Sequence, residues 1–87
     1  MKFFFNKSNN YAGHTNEGGQ HFDDNNRYAG HTDESGQHFD RNNRYTGHTS
    51  ENGEHFDRNN RYVGRTDPVT GFIYDADNNY VGHESDF

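Results

Sequence analysis

The sequence predicts an all-β protein, an antiparallel meander of about ten short strands that closes into a barrel. The chain repeats itself every 17 residues, which is typical of one supersecondary unit used several times. Helices are not expected, because no helical apolar period occurs and Gly or Asn recurs every few residues. The units begin at Tyr11, Tyr28, Tyr45 and Tyr62, with a half repeat at 1–10 and another at 80–87.

The two half repeats predict how the sheet closes. Residues 1–10 match the back half of a unit, whereas residues 80–87 match the front half. Together they would make one more complete β-hairpin repeat, so we expect the first strand to pair with the last. All of 1–87 is then a single domain.

Each complete unit predicts two strands and two turns. In the second unit, 27–32 and 37–41 are short runs separated by the polar turn 33–36. The connection at 40–44 suits a three-residue hairpin loop with Asn43 in the left-handed conformation. The fourth unit differs, because its loop at 67–71 has one extra residue and an apolar segment follows it.

Side-chain alternation predicts the register and the faces of the sheet. An even-residue turn at 33–36 places His31 opposite His38 and Gly30 opposite Phe39. The next loop pairs Phe39 with Tyr45, and Asp40 with Arg44. Each strand then places one aromatic ring on a common face: Phe5, Tyr11, Phe22, Tyr28, Phe39, Tyr45, Phe56, Tyr62, Tyr74 and Tyr80.

A row of rings of this length is expected to be buried, since an exposed row would aggregate. A closed barrel would bury it as an aromatic core and would also remove both sheet edges. The alternative is an open sheet packed face to face as a dimer, or a strand-swapped oligomer made by exchange of the complementary ends. We favour the closed barrel.

Composition excludes several classes of partner. The formal charge is −6 and the basic residues are dispersed, so neither a nucleic-acid stripe nor a cationic membrane helix is expected. The absence of cysteine excludes disulfides and thiolate metal sites. Because polar residues follow Phe5 at once, no secretion signal is expected, and the cytoplasm is the expected location.

Histidine spacing suggests a metal site. Three units each hold two histidines seven residues apart, and the predicted register makes them cross-strand neighbours. Paired imidazoles bind zinc, nickel or copper, with a nearby Asp as third ligand; zinc or nickel are the candidate ions, and no other cofactor is expected. The candidate ligands are His14, His21, His31, His38, His48 and His55.

The repeat predicts binding or assembly rather than catalysis. An enzyme needs one asymmetric pocket of unlike residues, whereas a repeat offers several copies of one shallow environment. The leading prediction is a non-catalytic structural or interaction role, with a protein partner or a homo-oligomer. The alternatives are metal binding through the histidine pairs and multivalent carbohydrate binding by sites rich in Asn, Asp, His and Tyr.

Overall fold

The computed structural model describes residues 1–86 and confirms the predicted fold class; Phe87, the end of the last half repeat, lies outside the described residues. Ten antiparallel strands form a meander that closes into a barrel. The strands are β1 (Lys2–Asn6), β2 (Tyr11–Thr15), β3 (Gln20–Asp23), β4 (Tyr28–Thr32), β5 (Gln37–Asp40), β6 (Tyr45–Thr49), β7 (Glu54–Asp57), β8 (Tyr62–Thr66), β9 (Phe72–Asp75) and β10 (Tyr80–Asp86).

The two half repeats close the wall within one chain, as predicted. Strand β1 pairs with β10 over its whole length, from Lys2 opposite Asp86 to Asn6 opposite Gly82. The barrel is short and wide, with extents of 29 × 29 × 18 Å. We call the end that carries turns 16–19, 33–36, 50–53 and 67–71 the mouth, and the opposite end the base.

The loops at the base have the predicted conformation. Asn43 has a φ of 66°, and four further Asn residues occupy the same left-handed position in their loops. The Asp40 amide donates to the Arg44 carbonyl at 2.9 Å, which confirms that pairing. The Asp40 carboxylate accepts the amides of Asn42 and Arg44. The Arg44 amide is the main reason why the pKa of Asp40 is lowered.

Three of the four turns at the mouth have the same construction, which corrects the predicted register; the fourth, at 67–71, has the predicted extra residue. The Asp33 carboxylate accepts the amides of Ser35 and Gln37, and Gly36 has a φ of 86°. The turn is therefore a three-residue loop rather than an even one. His31 lies opposite Phe39, and His38 lies opposite Thr32. The expected pairs of His31 with His38 and of Gly30 with Phe39 were wrong.

A bulge in every other strand changes which side chains face inward. Between β5 and β6, Phe39 pairs with Tyr45 as predicted, but His38 pairs with Gly47, so Thr46 is the extra residue. Gly47 has a φ of 152°, and a Cβ on it would overlap the carbonyl oxygen of Phe56. The extra residue turns the Tyr45 ring to the outside of the wall.

The aromatic rings share one face as predicted, but it is the outer face, and the predicted aromatic core is wrong. No hydrophobic side chain is buried among residues 1–86. Instead, one central cavity is lined by a residue of every strand, among them Thr32, His38 and Ile73. The residues that are buried in the described chain are five bulge glycines: Gly13, Gly30, Gly47, Gly64 and Gly82.

Candidate functional site

The lumen, the space enclosed by the barrel wall, is bordered by a ring of ten positions, one from each strand. Strands at the front of each unit contribute Thr15, Thr32, Thr49 and Thr66, with Glu84 in the equivalent place on β10. Strands at the back contribute His21, His38 and His55, with Ile73 on β9 and Phe4 on β1.

Seven of these side chains form one continuous hydrogen-bonded chain, the Thr–His ladder. His38 shows its construction: its Nδ1 lies 2.6 Å from the Thr32 hydroxyl, and its Nε2 lies 2.6 Å from the Thr49 hydroxyl. The six hydrogen bonds are 2.5 to 2.7 Å long. In order, the ladder is Thr15, His21, Thr32, His38, Thr49, His55 and Thr66.

The ladder favours one direction of donation. A neutral imidazole donates from one nitrogen and accepts at the other, and a hydroxyl donates once. If all bonds run in one sense, the inner hydroxyls of Thr32 and Thr49 each donate and accept. A change of sense would either leave one inner hydroxyl proton without a ladder acceptor or require one hydroxyl to donate twice. We therefore expect the three imidazoles to share one tautomer.

Partial burial keeps the ladder histidines neutral. The pKa values of His21, His38 and His55 are lowered from the ordinary value, and in each case desolvation is the main cause. For His38, repulsion from His21 and His55 adds to the effect. A neutral ladder can keep all its hydrogen bonds running in one direction. A protonated imidazole donates at both nitrogens, so the bonds on its two sides then run in opposite directions.

The outer face carries a second ring of contacts, the outer belt. The belt comprises Arg65 and the rings of the outer face: Phe3, Phe5, Tyr11, His14, Phe22, Tyr28, His31, Phe39, Tyr45, His48, Phe56, Tyr62, Phe72, Tyr74, Tyr80 and His83. His31 stacks on Phe39 with centroids 4.8 Å apart and planes 14° apart. Phe39 meets Tyr45 edge to face at 6.1 Å, and the Tyr45 hydroxyl lies 3.1 Å from Nδ1 of His48. The same stack occurs in His14 with Phe22, His48 with Phe56, and His83 with Phe5 across the closure.

The fourth unit keeps the belt with different chemistry. Arg65 takes the place of the outer histidine, and its guanidinium carbon lies 4.2 Å from the centroid of the Tyr74 ring. Ile73 takes the place of the inner histidine. The two substitutions therefore lie on opposite faces and replace two different contacts.

The predicted metal-ligand pairs, seven residues apart, are not brought together, although His21 and His38 of neighbouring units lie with ring centroids 6.4 Å apart. His14, His31 and His48 belong to the outer belt, whereas His21, His38 and His55 belong to the ladder. The expected cross-strand pairs were wrong because both turns are three-residue loops. Residues 1–86 contain no cluster of three or more metal-ligating side chains. Zinc or nickel binding by these histidines stays a prediction.

The chain matches no protein-family model, no curated protein and no solved structure. Within residues 1–86, no helix has the length and apolar character needed to cross a membrane. The candidate binding surfaces of the protein are the two faces of the wall and the two ends of the barrel.

Charge is distributed unequally between those ends. The base holds six acidic and six basic side chains and is neutral overall. The mouth holds Lys2 and eight acidic side chains: Glu17, Asp33, Glu34, Glu51, Glu54, Asp67, Glu84 and Asp86. The formal negative charge of the protein is therefore concentrated where the cavity opens.

Sequence reasoning missed the Thr residues of the ladder. The signal was present, because Thr15, Thr32, Thr49 and Thr66 recur at the same 17-residue period as the histidines. Their role could not be assigned while His38 was expected to face His31. With the three-residue turn, Thr32 becomes the direct partner of His38.

Proposed function

We propose that the protein is a non-catalytic binding module that holds carbohydrate chains at several equivalent sites on the outer belt. The observation that carries the proposal is the equal exposure of five tyrosines around the barrel. Tyr11, Tyr28, Tyr45, Tyr62 and Tyr80 are between 37% and 40% exposed. Each occupies the same position in its strand, directly after a loop of the base.

The chemistry of each site suits a sugar ring. An exposed Tyr ring offers apolar surface to the C–H groups of a pyranose, and its hydroxyl gives a polar handle. The Tyr28 hydroxyl lies 3.3 Å from Nδ1 of His31, so hydrogen-bonding groups adjoin the ring. Each of these tyrosines directly follows a base loop rich in polar Asn and charged residues. Such mixed surface favours carbohydrate over a purely apolar ligand.

The repetition favours a polymer. Neighbouring tyrosines are two strands apart, or roughly 10 Å along the wall at the level of the backbone. Shallow sites of this kind bind weakly one at a time, but a ligand that engages several of them gains affinity through its effective concentration. A repeating polysaccharide presents the same group at regular intervals, which matches a ring of identical sites.

The test is sedimentation with insoluble polysaccharides, followed by titration with soluble oligosaccharides of increasing length. The wild type is expected to bind at least one polysaccharide, with affinity that rises steeply with chain length. Tyr28→Ile should weaken binding, and Tyr28→Ile with Tyr62→Ile should weaken it by more than the sum expected for independent sites. Val69→Ala is the control, because Val69 lies at the mouth and is 90% exposed.

Folding is checked for each variant by circular dichroism and thermal melting. Absence of binding to a broad panel of glycans would overturn the proposal. So would binding that the double Tyr variant retains in full. If native mass spectrometry instead shows dimers that the double Tyr variant loses, the belt is a self-association surface and the carbohydrate proposal is wrong.

A further inference from the structure

We propose that the lumen is a second binding site, specific for a small organic cation with an apolar body, and that Glu84 is its counter-ion. The site is a cavity of about 570 Å³ that opens at the mouth. It goes beyond the proposed carbohydrate function, because it lies on the opposite face of the wall and uses none of the belt tyrosines.

The wall of the cavity accepts an apolar body. Phe4 and Ile73 interrupt the Thr–His ladder and line one side of the lumen with hydrocarbon. On the other side, the nitrogens and hydroxyls of the ladder are bonded to one another. Because these polar groups already have partners, the ladder presents mainly ring and methyl surface to a guest.

The charge at the mouth selects the sign of the guest. Six of the eight acidic groups at the mouth have no basic partner within 4.0 Å, and the other two, Glu84 and Asp86, share Lys2, which is the one basic side chain described there. A cavity entrance with one sign of charge and low-dielectric walls concentrates ions of the opposite sign. Cations are therefore attracted to the lumen, and anions are repelled from it.

The protein's own ammonium group marks the binding position. Nζ of Lys2 lies 2.8 Å from Oε2 of Glu84, and both residues line the cavity. This hydrogen bond is the main reason why the pKa of Lys2 is raised. The Glu84 side chain is 19% exposed, whereas that of Lys2 is 47% exposed. The carboxylate is thus the sheltered partner, and a ligand ammonium can displace the more exposed lysine from it.

The experiment is a titration followed by heteronuclear NMR at pH 7.5 with two matched probes. Benzyltrimethylammonium carries a fixed positive charge on an aromatic body, and benzenesulfonate carries a negative charge on the same ring. We expect the cation to bind with a Kd on the order of millimolar. The signals of Phe4, His38 and Ile73 should shift, and those of the belt tyrosines should not.

Two pairs of variants separate a specific counter-ion from general charge. Glu84→Gln should weaken binding about tenfold, whereas Asp24→Asn, the same charge change at the base, should have little effect. Lys2→Met should tighten binding about threefold because it removes the competing ammonium, whereas Lys7→Met at the base should not. Lys2→Met keeps the test decisive if Glu84→Gln does not fold.

Equal binding of benzenesulfonate and the cation would overturn the proposal, as would shifts confined to the belt. Equal effects of Glu84→Gln and Asp24→Asn would also overturn it, because they would show that cation binding depends only on the net charge of the protein and not on Glu84. Loss of carbohydrate binding in the Tyr28→Ile and Tyr62→Ile variant, with cation binding retained, is expected, since the two sites lie on different faces.

Discussion

His31 and His38, seven positions apart in one unit, lie on opposite faces of the barrel wall. His31 stacks on Phe39 at 4.8 Å on the outside, and His38 bonds to two Thr hydroxyls on the inside. The same residue type therefore has two different tasks within each repeat. The outer imidazole extends an aromatic surface, and the inner one links neighbouring strands through hydrogen bonds.

Removal of one ladder hydroxyl should destabilise the barrel. Thr32→Val keeps the shape of the side chain but leaves Nε2 of His21 and Nδ1 of His38 without their shared partner. We expect a loss of about 1–3 kcal/mol in the free energy of unfolding, measured by urea denaturation. Thr46→Val is the matched control: it removes one hydrogen bond, from the Thr46 hydroxyl to the His38 carbonyl oxygen at 3.2 Å, but no bond of the ladder, and the equivalent residue of β8 is Val63. An equal loss in both variants would contradict the role of the ladder.

The ladder should give the three inner histidines a common tautomer. Nitrogen chemical shifts distinguish protonated from unprotonated Nδ1 and Nε2, so heteronuclear NMR above pH 7.5 measures this directly. We expect His21, His38 and His55 to show one pattern. Mixed tautomers in the wild type would show that the hydrogen bonds do not run in a single sense.

Stability should fall in mild acid because of the ladder. The pKa values of His21, His38 and His55 are lowered in the fold, so the unfolded chain binds more protons below its own pKa of about 6.5. Their contribution is fully present above that pH and is lost as the pH falls towards the folded pKa values. The melting temperature should therefore decrease between about pH 7 and 5.

The matched comparison for this pH effect is His38→Gln against His31→Gln. His38→Gln should reduce the dependence of the melting temperature on pH, because it removes one of the desolvated imidazoles. His31→Gln changes the outer belt and should leave most of the dependence in place. A wild-type melting temperature that stays constant from pH 7 to 5 would contradict the assignment.

The bulge glycines should not tolerate a side chain. Gly47→Ala would place a Cβ against the carbonyl oxygen of Phe56, at a φ of 152° that L residues rarely adopt. We expect a loss of more than about 2 kcal/mol in the free energy of unfolding. Gly18→Ala is the control, because its nearest neighbouring atom is a side-chain oxygen of Asn16 at 3.4 Å. A mild effect at Gly47 would mean that the bulge is not needed.

The belt of the fourth unit depends on a planar side chain at position 65, which lies over the Tyr74 ring. Arg65→Gln should lose about 0.5–1 kcal/mol of unfolding free energy, because it removes the guanidinium from the Tyr74 ring together with its exposed 2.7 Å hydrogen bond to Oδ1 of Asn78. Arg65→His restores the residue found in the other units and should retain most of it. Chemical denaturation at low and high salt measures both. Equal stability of the two variants would exclude a contribution from the stack.

The architecture could be predicted because the features that determine it, the loop residues and the repeat, are local and recur along the sequence. The base loops follow from the left-handed tolerance of Asn43, and the closure follows from the complementary ends. The faces could not be predicted in the same way. The mouth and base turns have different residue types, so the sequence did not indicate that they share one loop length. Gly36 and Asn43 occupy the same left-handed position in the two loops. A change of one residue in a turn shifts every cross-strand pair that depends on it.

The prediction that the aromatic rings face inward was wrong for a second reason. The prediction assumed that successive side chains of a strand alternate strictly between its two faces. Thr46 is an extra residue that interrupts this alternation, and the order of polar and apolar residues does not reveal it. The expectation of an aromatic core also assumed that a barrel interior must be apolar. The Thr–His ladder lines most of that interior with polar groups that bond to one another, and the rings pack along the outer surface.

The pairing of β1 with β10 places the two chain termini at the mouth, where a turn would otherwise connect the two strands. Lys2 lies opposite Asp86, in the same relation that the two arms of each mouth turn have to one another. A short linker joining these ends, with the backbone opened instead at turn 33–36, should give a circular permutant with the same wall. The barrel is thus topologically a ring of five hairpins, and the strand pairing of its wall is the same whichever mouth turn carries the termini.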